Sequence, residues 1–185
     1  MAIKLIGGYD LETTGFCEPE HRIIEACVMV WKCDTDTWEF SPVGKKTWRY
    51  NPERSIPAKA FAVHGISEAD LVNEPTFAAA GKPLVALLNR LDMCVAHNGF
   101  GFDFPFTLME CERVGFEEPD FLPFDTMIDG RWATAFGEVP SLKKLCFTCD
   151  VSYNPAEAHA AEYDVQKMME CFFYGVSNGY FTPEL

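Results

Sequence analysis

Three extended, apolar segments crowd into the first fifty residues, and that spacing constrains the fold more than any other feature of the chain. Residues 3–9 are an apolar run ending on Asp10, residues 22–32 (RIIEACVMVWK) are rich in β-branched side chains, and residues 37–50 supply a third segment. A turn is expected within the third, near Pro42-Val43-Gly44. Segments so close in sequence pair through short connections, which reads as an antiparallel meander. The pattern then turns helical. Ser67 precedes Glu68-Ala69-Asp70-Leu71 as an N-cap with acids in the first turn. Leu84, Leu87, Leu88 and Leu91 share one helix face, with Pro83 in the first turn and a break at Gly81. Residues 93–96 form a short buried strand leading into His97-Asn98-Gly99, and a helix is expected over 105–114. Over 160–176, Val165, Met168, Met169, Phe172, Phe173 and Val176 make a broad apolar stripe, read as a core-facing helix and not as a cofactor site. Early strands followed by alternating helices and short strands indicate an α/β domain with a mixed sheet.

At 185 residues the chain fits one domain, expected over 1–178 with a short C-terminal tail at 179–185. A hydrophobic content of 48% supports a sizeable core, which excludes disorder as the default. The net charge of −13 argues against a broad grip on duplex nucleic acid, which calls for a basic stripe. Either the substrate is not a nucleic acid, or acids hold metal ions that then face phosphates and invert the local field. Basic residues cluster at Lys45, Lys46 and Arg49, and again at Lys143 and Lys144. The eight cysteines are scattered within apolar runs, as reduced thiols would be. Cys146 and Cys149 are the one close pair, with no second pair to complete a zinc ribbon. The N-terminus shows no signal-peptide pattern, and no apolar stretch approaches the ~20 residues that span a bilayer. A soluble, intracellular protein without membrane partners is expected.

The chemistry concentrates in three places. Asp10 and Glu12 stand two apart at a strand end, in YDLETTG, so both carboxylates face one side while Leu11 faces the other. Adjacent carboxylates repel and raise each other's pKa unless a cation holds them, although solvated acids at a strand end remain the plainer alternative. Asp103, in AHNGFGFDFP, follows a second strand-to-helix junction, the end of an α/β sheet where sites gather. Taken alone, Asp103 reads equally as a helix N-cap, Asn98 as a turn residue and His97 as a satisfied buried histidine. AHAAEYD places His159 just ahead of a helix and Asp164 in its early turns, at the edge of the apolar stripe. A carboxylate there calls for a partner, and a metal qualifies. Histidine titrates near ~6.5, which suits a general base near neutral pH. Four acids and one histidine meet the needs of a two-metal phosphoryl hydrolase, whose ions, about 3.5–4 Å apart, stabilise the attacking and leaving oxygens. Oxygen ligands favour two Mg²⁺ or Mn²⁺ ions over zinc.

In order, Asp10-x-Glu12-Thr-Thr-Gly, His64-Gly65-Ile66, Ala96-His97-Asn98 with Asp103, and His159-x-Ala161-x-x-Asp164 resemble the DEDDh group of 3′→5′ exonucleases. Asn51-Pro52, Ile56-Pro57, Asp125-Thr126 and Ser141-Leu142-x-x-Leu145 agree in sequence order, and the resemblance spans roughly residues 5–175. It implies a ribonuclease-H-like fold with a mixed five-stranded sheet flanked by helices. It implies that Asp10 binds both ions, that Glu12 and Asp164 bind the first, and that Asp103 supports the second, partly through water. His159 would deprotonate the water that attacks the terminal phosphodiester, releasing nucleoside 5′-monophosphates. His64 and Ile66 would line the pocket of the 3′-terminal nucleotide, Asn98 would order the site, and Thr13 would contact the terminal 3′-hydroxyl. Phe16 would wedge between the last two bases, where stacking contributes about 1–3 kcal/mol whatever the base.

The spacing between Asn98 and Asp103 is similar to that of the three-prime repair exonucleases, which degrade DNA. No C-terminal extension, membrane anchor or proline-rich insert of that subgroup is expected here. The leading expectation is hydrolysis of single-stranded DNA, or of frayed duplex 3′ ends, with DNA favoured over RNA as the partner. Trimming of RNA ends and service as a proofreading or accessory subunit of a polymerase are the alternatives, and homodimerisation is left open. An inactive nucleic-acid-binding module is disfavoured, because all five chemical residues are present and the chain is acidic.

Overall fold

Apolar alternation early in the chain builds three long strands in the computed structural model, which describes residues 3–185. Met1 and Ala2, the first residues of the expected domain, lie outside the described residues. The strands are β1 (Ile3–Thr13), β2 (Ile23–Asp34) and β3 (Glu39–Arg49). Four short helices follow: α1 (Ala58–His64), α2 (Glu68–Leu71), α3 (Phe77–Ala80) and α4 (Lys82–Leu88). Then come β4 (Met93–Ala96), α5 (Asp103–Val114), β5 (Leu122–Asp125), a 3₁₀ turn at Asp129–Ala133, α6 (Leu142–Thr148) and α7 (Ala161–Ser177). The strand order is β3-β2-β1-β4-β5; β1 to β3 form the expected antiparallel meander, while β4 pairs parallel to both β1 and β5. This is the mixed five-stranded sheet flanked by helices that the sequence led us to expect.

The turn expected near Pro42-Val43-Gly44 is instead a bulge within a continuous strand. Val30 pairs with Gly44 and Trp31 with Pro42, leaving Val43 as the extra residue. Pro42 lacks an N–H to donate, and it is tolerated because β3 is the sheet's edge. Ser67 does cap α2, with the reciprocal Ser67–Asp70 capping box.

Period-two alternation divides the core between the two sheet faces. On one face Ile6, Cys27, Met29 and Val95 meet Val165, Met168, Met169 and Phe172 of α7. On the other, Tyr9, Leu11, Val28 and Cys94 meet Leu84 and Leu88 of α4 and Phe106 of α5. Because Tyr9 and Leu11 face α4 and α5, Asp10 and Glu12 necessarily face α7. All eight cysteines are free thiols and all but Cys17 are buried, as small apolar fillers. The expected tail is anchored: Phe181 is 2% exposed and its ring lies 5.3 Å from that of Phe124. No helix among the described residues is long and apolar enough to cross a membrane.

Gly8 lets α7 approach the sheet. A Cβ at that position would stand 2.5 Å from Met169 Cγ and 2.9 Å from Val165 Cγ1. Val165 is β-branched and adjoins Asp164, so this contact sets how near Asp164 comes to Asp10. Gly8→Val should therefore destabilise the fold by about 1–3 kcal/mol, the usual cost of overpacking. Urea unfolding measures it, and unchanged stability would refute the close packing described.

Candidate active site

The acids gather where β1 outruns its neighbour. β4 pairs with β1 only as far as Gly8 opposite Val95, so the rest of that edge of β1 lacks a strand partner. Asp103, the first residue of α5, fills part of the gap: its Oδ1 accepts a hydrogen bond from the Leu11 N–H at 3.0 Å. Its carboxylate is 2% exposed, so a helix start delivers a charge into the sheet edge. Glu12 is buried beside it, while Asp10 is half-buried. Asp164 sits in the first turn of α7, where its Oδ2 accepts from the backbone N–H of His159 at 2.9 Å. Its Oδ1 is buried with no hydrogen-bond partner among the described residues.

Each of the four acids is held away from its ordinary ionisation, and the cause is burial first. Asp10 lies well above the usual carboxylate range through burial and then through Asp103, Glu12, Asp164 and Glu25. Glu12 is pushed up to about 8 by burial, Glu25, Asp164 and Asp103. Asp103 is also pushed up to about 8 by burial, against the pull of its own N–H and that of Leu11. Burial raises Asp164 too, opposed by the His159 N–H and ring. No three of these carboxylates bring their oxygens mutually within 4.8 Å; among the described residues only Glu18, Glu20 and His21, all on a surface loop, do so. Backbone N–H groups hold the carboxylates of Asp103 and Asp164 in place. Desolvated carboxylates with an orphaned oxygen fit hard divalent cations, whose charge favours the ionised form that burial opposes.

The raised acids have a measurable consequence. In chelator, the folded protein keeps protons on Glu12 and Asp103 that the unfolded chain gives up near ~4, so stability is greatest at low pH and is lost as pH rises toward ~8. His64 and His97 are lowered by burial, so their own contribution is present above ~6.5 and is not the source of a fall between ~6.5 and ~8. The melting temperature in chelator should fall across that range, Glu12→Gln should flatten the fall, and Mn²⁺ should raise the melting temperature more at pH ~8 than at pH ~6.5. A melting temperature that rises across the range would contradict the ionisation described.

The remaining expected residues differ in exposure and backbone conformation. His159 is solvent-exposed on a turn with a left-handed φ of 64°. Asn98 is also left-handed, with φ 68°, in the turn joining β4 to α5. Thr13 is buried, its hydroxyl donating to the Gly15 carbonyl at 2.5 Å. Phe16 is 80% exposed, an aromatic ring held out in solvent on the loop after the acids. The His64 ring, at the end of α1, feels the Thr13 backbone and Glu25; its Nδ1 accepts from the Ile66 N–H at 3.0 Å. Ile66 itself is 6% exposed and packs with Ile24 and Leu71, so most of its side chain serves the core.

Two supports went unassigned in the sequence. Asp125 is fully buried at the end of β5 and accepts from the N–H groups of Asn98 (2.9 Å), Phe100 (3.1 Å) and Met127 (2.9 Å), which fixes the loop that presents Asp103. Glu25 pairs across the sheet with Glu12 and is bound by Arg49 Nε at 2.6 Å. The only signals were Asp125-Thr126 after a short apolar run and a lone acid inside the apolar 22–32 segment.

Comparison with known proteins places the chain in a family and a fold. The family model RNase_T, described as Exonuclease, matches residues 8–172. Ribonuclease T of Photobacterium profundum is 28% identical over 177 residues, covering 88% of this chain and 78% of that protein. Ribonuclease T of Escherichia coli K12 is 27% identical over 178 residues, covering 88% and 80%. Among solved structures, E. coli exonuclease I in complex with a dT13 oligonucleotide superposes with a TM-score of 0.74 at 16% identity, covering 93% of this chain. A zinc-bound form of the E. coli exonuclease I–single-stranded DNA complex gives 0.76 at 16% identity, covering 95%. The chain spans only 41% of either of those two chains, and the likeness establishes the shared fold.

Proposed function

Because the chain belongs to the RNase_T exonuclease family, we propose that this metal-dependent 3′→5′ exonuclease works through Asp10, Glu12, Asp103 and Asp164 with His159 as general base. The observation that carries the assignment of residues is the convergence of four desolvated carboxylates on one sheet end, with His159 hydrogen-bonded to one of them. Asp10 would be shared by two ions, Glu12 and Asp164 would complete the first, and Asp103 would support the second. Mg²⁺ or Mn²⁺, when bound, neutralises charge developing on the attacking and leaving oxygens.

The protein's own groups do the rest. His159 accepts a proton from the attacking water as the new oxygen–phosphorus bond forms and the bond to the preceding 3′-oxygen breaks, and that oxygen takes up a proton from solvent water. A nucleoside 5′-monophosphate leaves, and the strand keeps a free 3′-hydroxyl. Asp164 steadies the turn through the His159 backbone N–H, so the imidazole can swing without losing its mount. Thr13 and His64 flank the place of the terminal nucleotide, Ile66 closes its floor from the core, and Asn98 shapes the loop before Asp103. Phe16 separates the last two bases, which its exposed ring suits.

Single-stranded DNA, or a frayed duplex 3′ end, is the proposed substrate, supported by the Asn98-to-Asp103 spacing and by a stacking residue indifferent to the sugar. RNA ends are the second reading, favoured by the name of the ribonuclease T relatives. Digestion of matched DNA and RNA strands, single and double, labelled at either end, tests both. Fastest loss of nucleotides from single-stranded DNA supports the first reading; RNA consumed about tenfold faster overturns it in favour of the second.

A further inference from the structure

Three arginines converge beside the loop that follows the acids, around a cleft of about 510 Å³ lined by Arg22, Arg54 and Arg113 with Glu20 and Glu53. Their commitments differ. Arg113 forms a bidentate pair with the fully buried Glu110, at 2.9 and 2.6 Å. Arg22 and Arg54 form no ion pair among the described residues. Arg22 Nη1 donates to the carbonyls of Pro19 (2.7 Å) and His21 (2.6 Å), and Arg54 Nη1 donates to the carbonyl of Glu20. Backbone carbonyls thus fix both guanidinium planes without cancelling their charge. Arg54 Nε is buried with no partner among the described residues, a donor left unmet inside the protein.

This is an unusual use of cations in a chain with 28 acids and 15 basic residues, where carboxylates are plentiful. Burial and the neighbouring Arg113 and Arg54 hold Arg22 below the ordinary arginine value, against the pull of Glu110 and Glu20. Glu20 and Glu53 are exposed, so water weakens their compensation. Pre-oriented arginine forks with spare N–H groups match the tetrahedral oxygens of phosphate.

We propose that the cleft is a phosphate-binding site, in which Arg22 and Arg54 donate to the phosphate oxygens and Arg113 adds the third positive charge. The phosphate comes either from a phosphodiester of the strand under digestion or from a free nucleoside 5′-monophosphate. The first source rests on the function proposed above; the second does not. The loop over residues 14–22 joins the cleft to the acids, since the Thr14 hydroxyl accepts from the Arg22 N–H at 3.0 Å. An occupied cleft therefore holds the loop that carries Phe16.

Calorimetric titration of the EDTA-treated protein separates the outcomes, because nothing is hydrolysed there. The ligands are inorganic phosphate, thymidine 5′-monophosphate and a single-stranded oligodeoxynucleotide, each tested against wild type, Arg22→Gln and Arg54→Gln. If the strand supplies the phosphate, oligonucleotide affinity falls about tenfold in the variants and its salt slope drops by about 0.7 per lost contact. If the free nucleotide supplies it, monophosphate affinity falls about tenfold and oligonucleotide affinity holds. Affinities unchanged by either substitution overturn the site. Should a variant fail to fold, phenylglyoxal labelling of wild type replaces it: phosphate or oligonucleotide must protect Arg22 and Arg54, and equal labelling with and without them overturns the proposal. Digestion by wild type in Mg²⁺ is scored separately, so a failure of the exonuclease reading is not mistaken for failure of the cleft.

Discussion

Asp10→Asn should lower turnover by at least about 10³-fold while leaving the fold intact. The reason lies in its position: of the four acids, Asp10 alone is raised by each of the other three, so it stands at the centre of the cluster. Asparagine keeps its shape but removes the negative charge that draws a cation. Metal-assisted stabilisation of several kcal/mol corresponds to at least three powers of ten in rate, since ~1.4 kcal/mol is tenfold. In chelator the same change should leave the melting temperature unchanged or higher, because it removes a carboxyl whose ionisation burial and the neighbouring acids oppose. Single-turnover hydrolysis of a labelled strand and thermal unfolding read the two halves. More than about a tenth of wild-type activity would remove Asp10 from the centre of the chemistry.

His159→Ala should cost about 10²–10⁴-fold in turnover, the range for a lost general base, while divalent ion affinity holds. The two effects separate because Asp164 receives the backbone N–H of His159, which alanine retains. The left-handed φ of 64° adds a complication, since alanine is strained there and glycine is not. His159→Gly relieves the strain without restoring an imidazole. Both variants should be equally slow; recovery of activity in the glycine variant alone would mean that the position matters for its backbone and not for its ring.

The order of these residues along the chain was legible because strand geometry is local. Two carboxylates at i and i+2 must share a face, and the long apolar alternation of 3–13 states which face is buried. The helix over Ala161–Ser177 was equally plain from its stripe, and Asp164 lies in its first turn. Short elements were harder. β5 is the four-residue LPFD with a proline inside it, too brief to show alternation, so sequence pattern did not reveal the strand that ends in Asp125. α1 buries none of its residues and so lacked an apolar stripe, and the brief α6 was not distinguished either. Tertiary pairing escaped for a different reason. Glu25 looks like one acid in an apolar strand until register sets it between Glu12 and Arg49, and Arg22, Arg54 and Arg113 meet only after folding. The bulge at Val43 reads as a turn in the sequence because Pro-x-Gly signals both, and only the pairing of β3 with β2 on either side of it decides between them.

The net charge of −13 is spread well beyond the cluster, since 28 acidic residues stand against 15 basic ones. The most direct test is digestion of a 3′-labelled single strand in EDTA, followed by titration with Mg²⁺ or Mn²⁺. Activity should vanish in chelator and return with either ion, releasing labelled nucleotide from the 3′ end first. Full activity in EDTA would contradict the account.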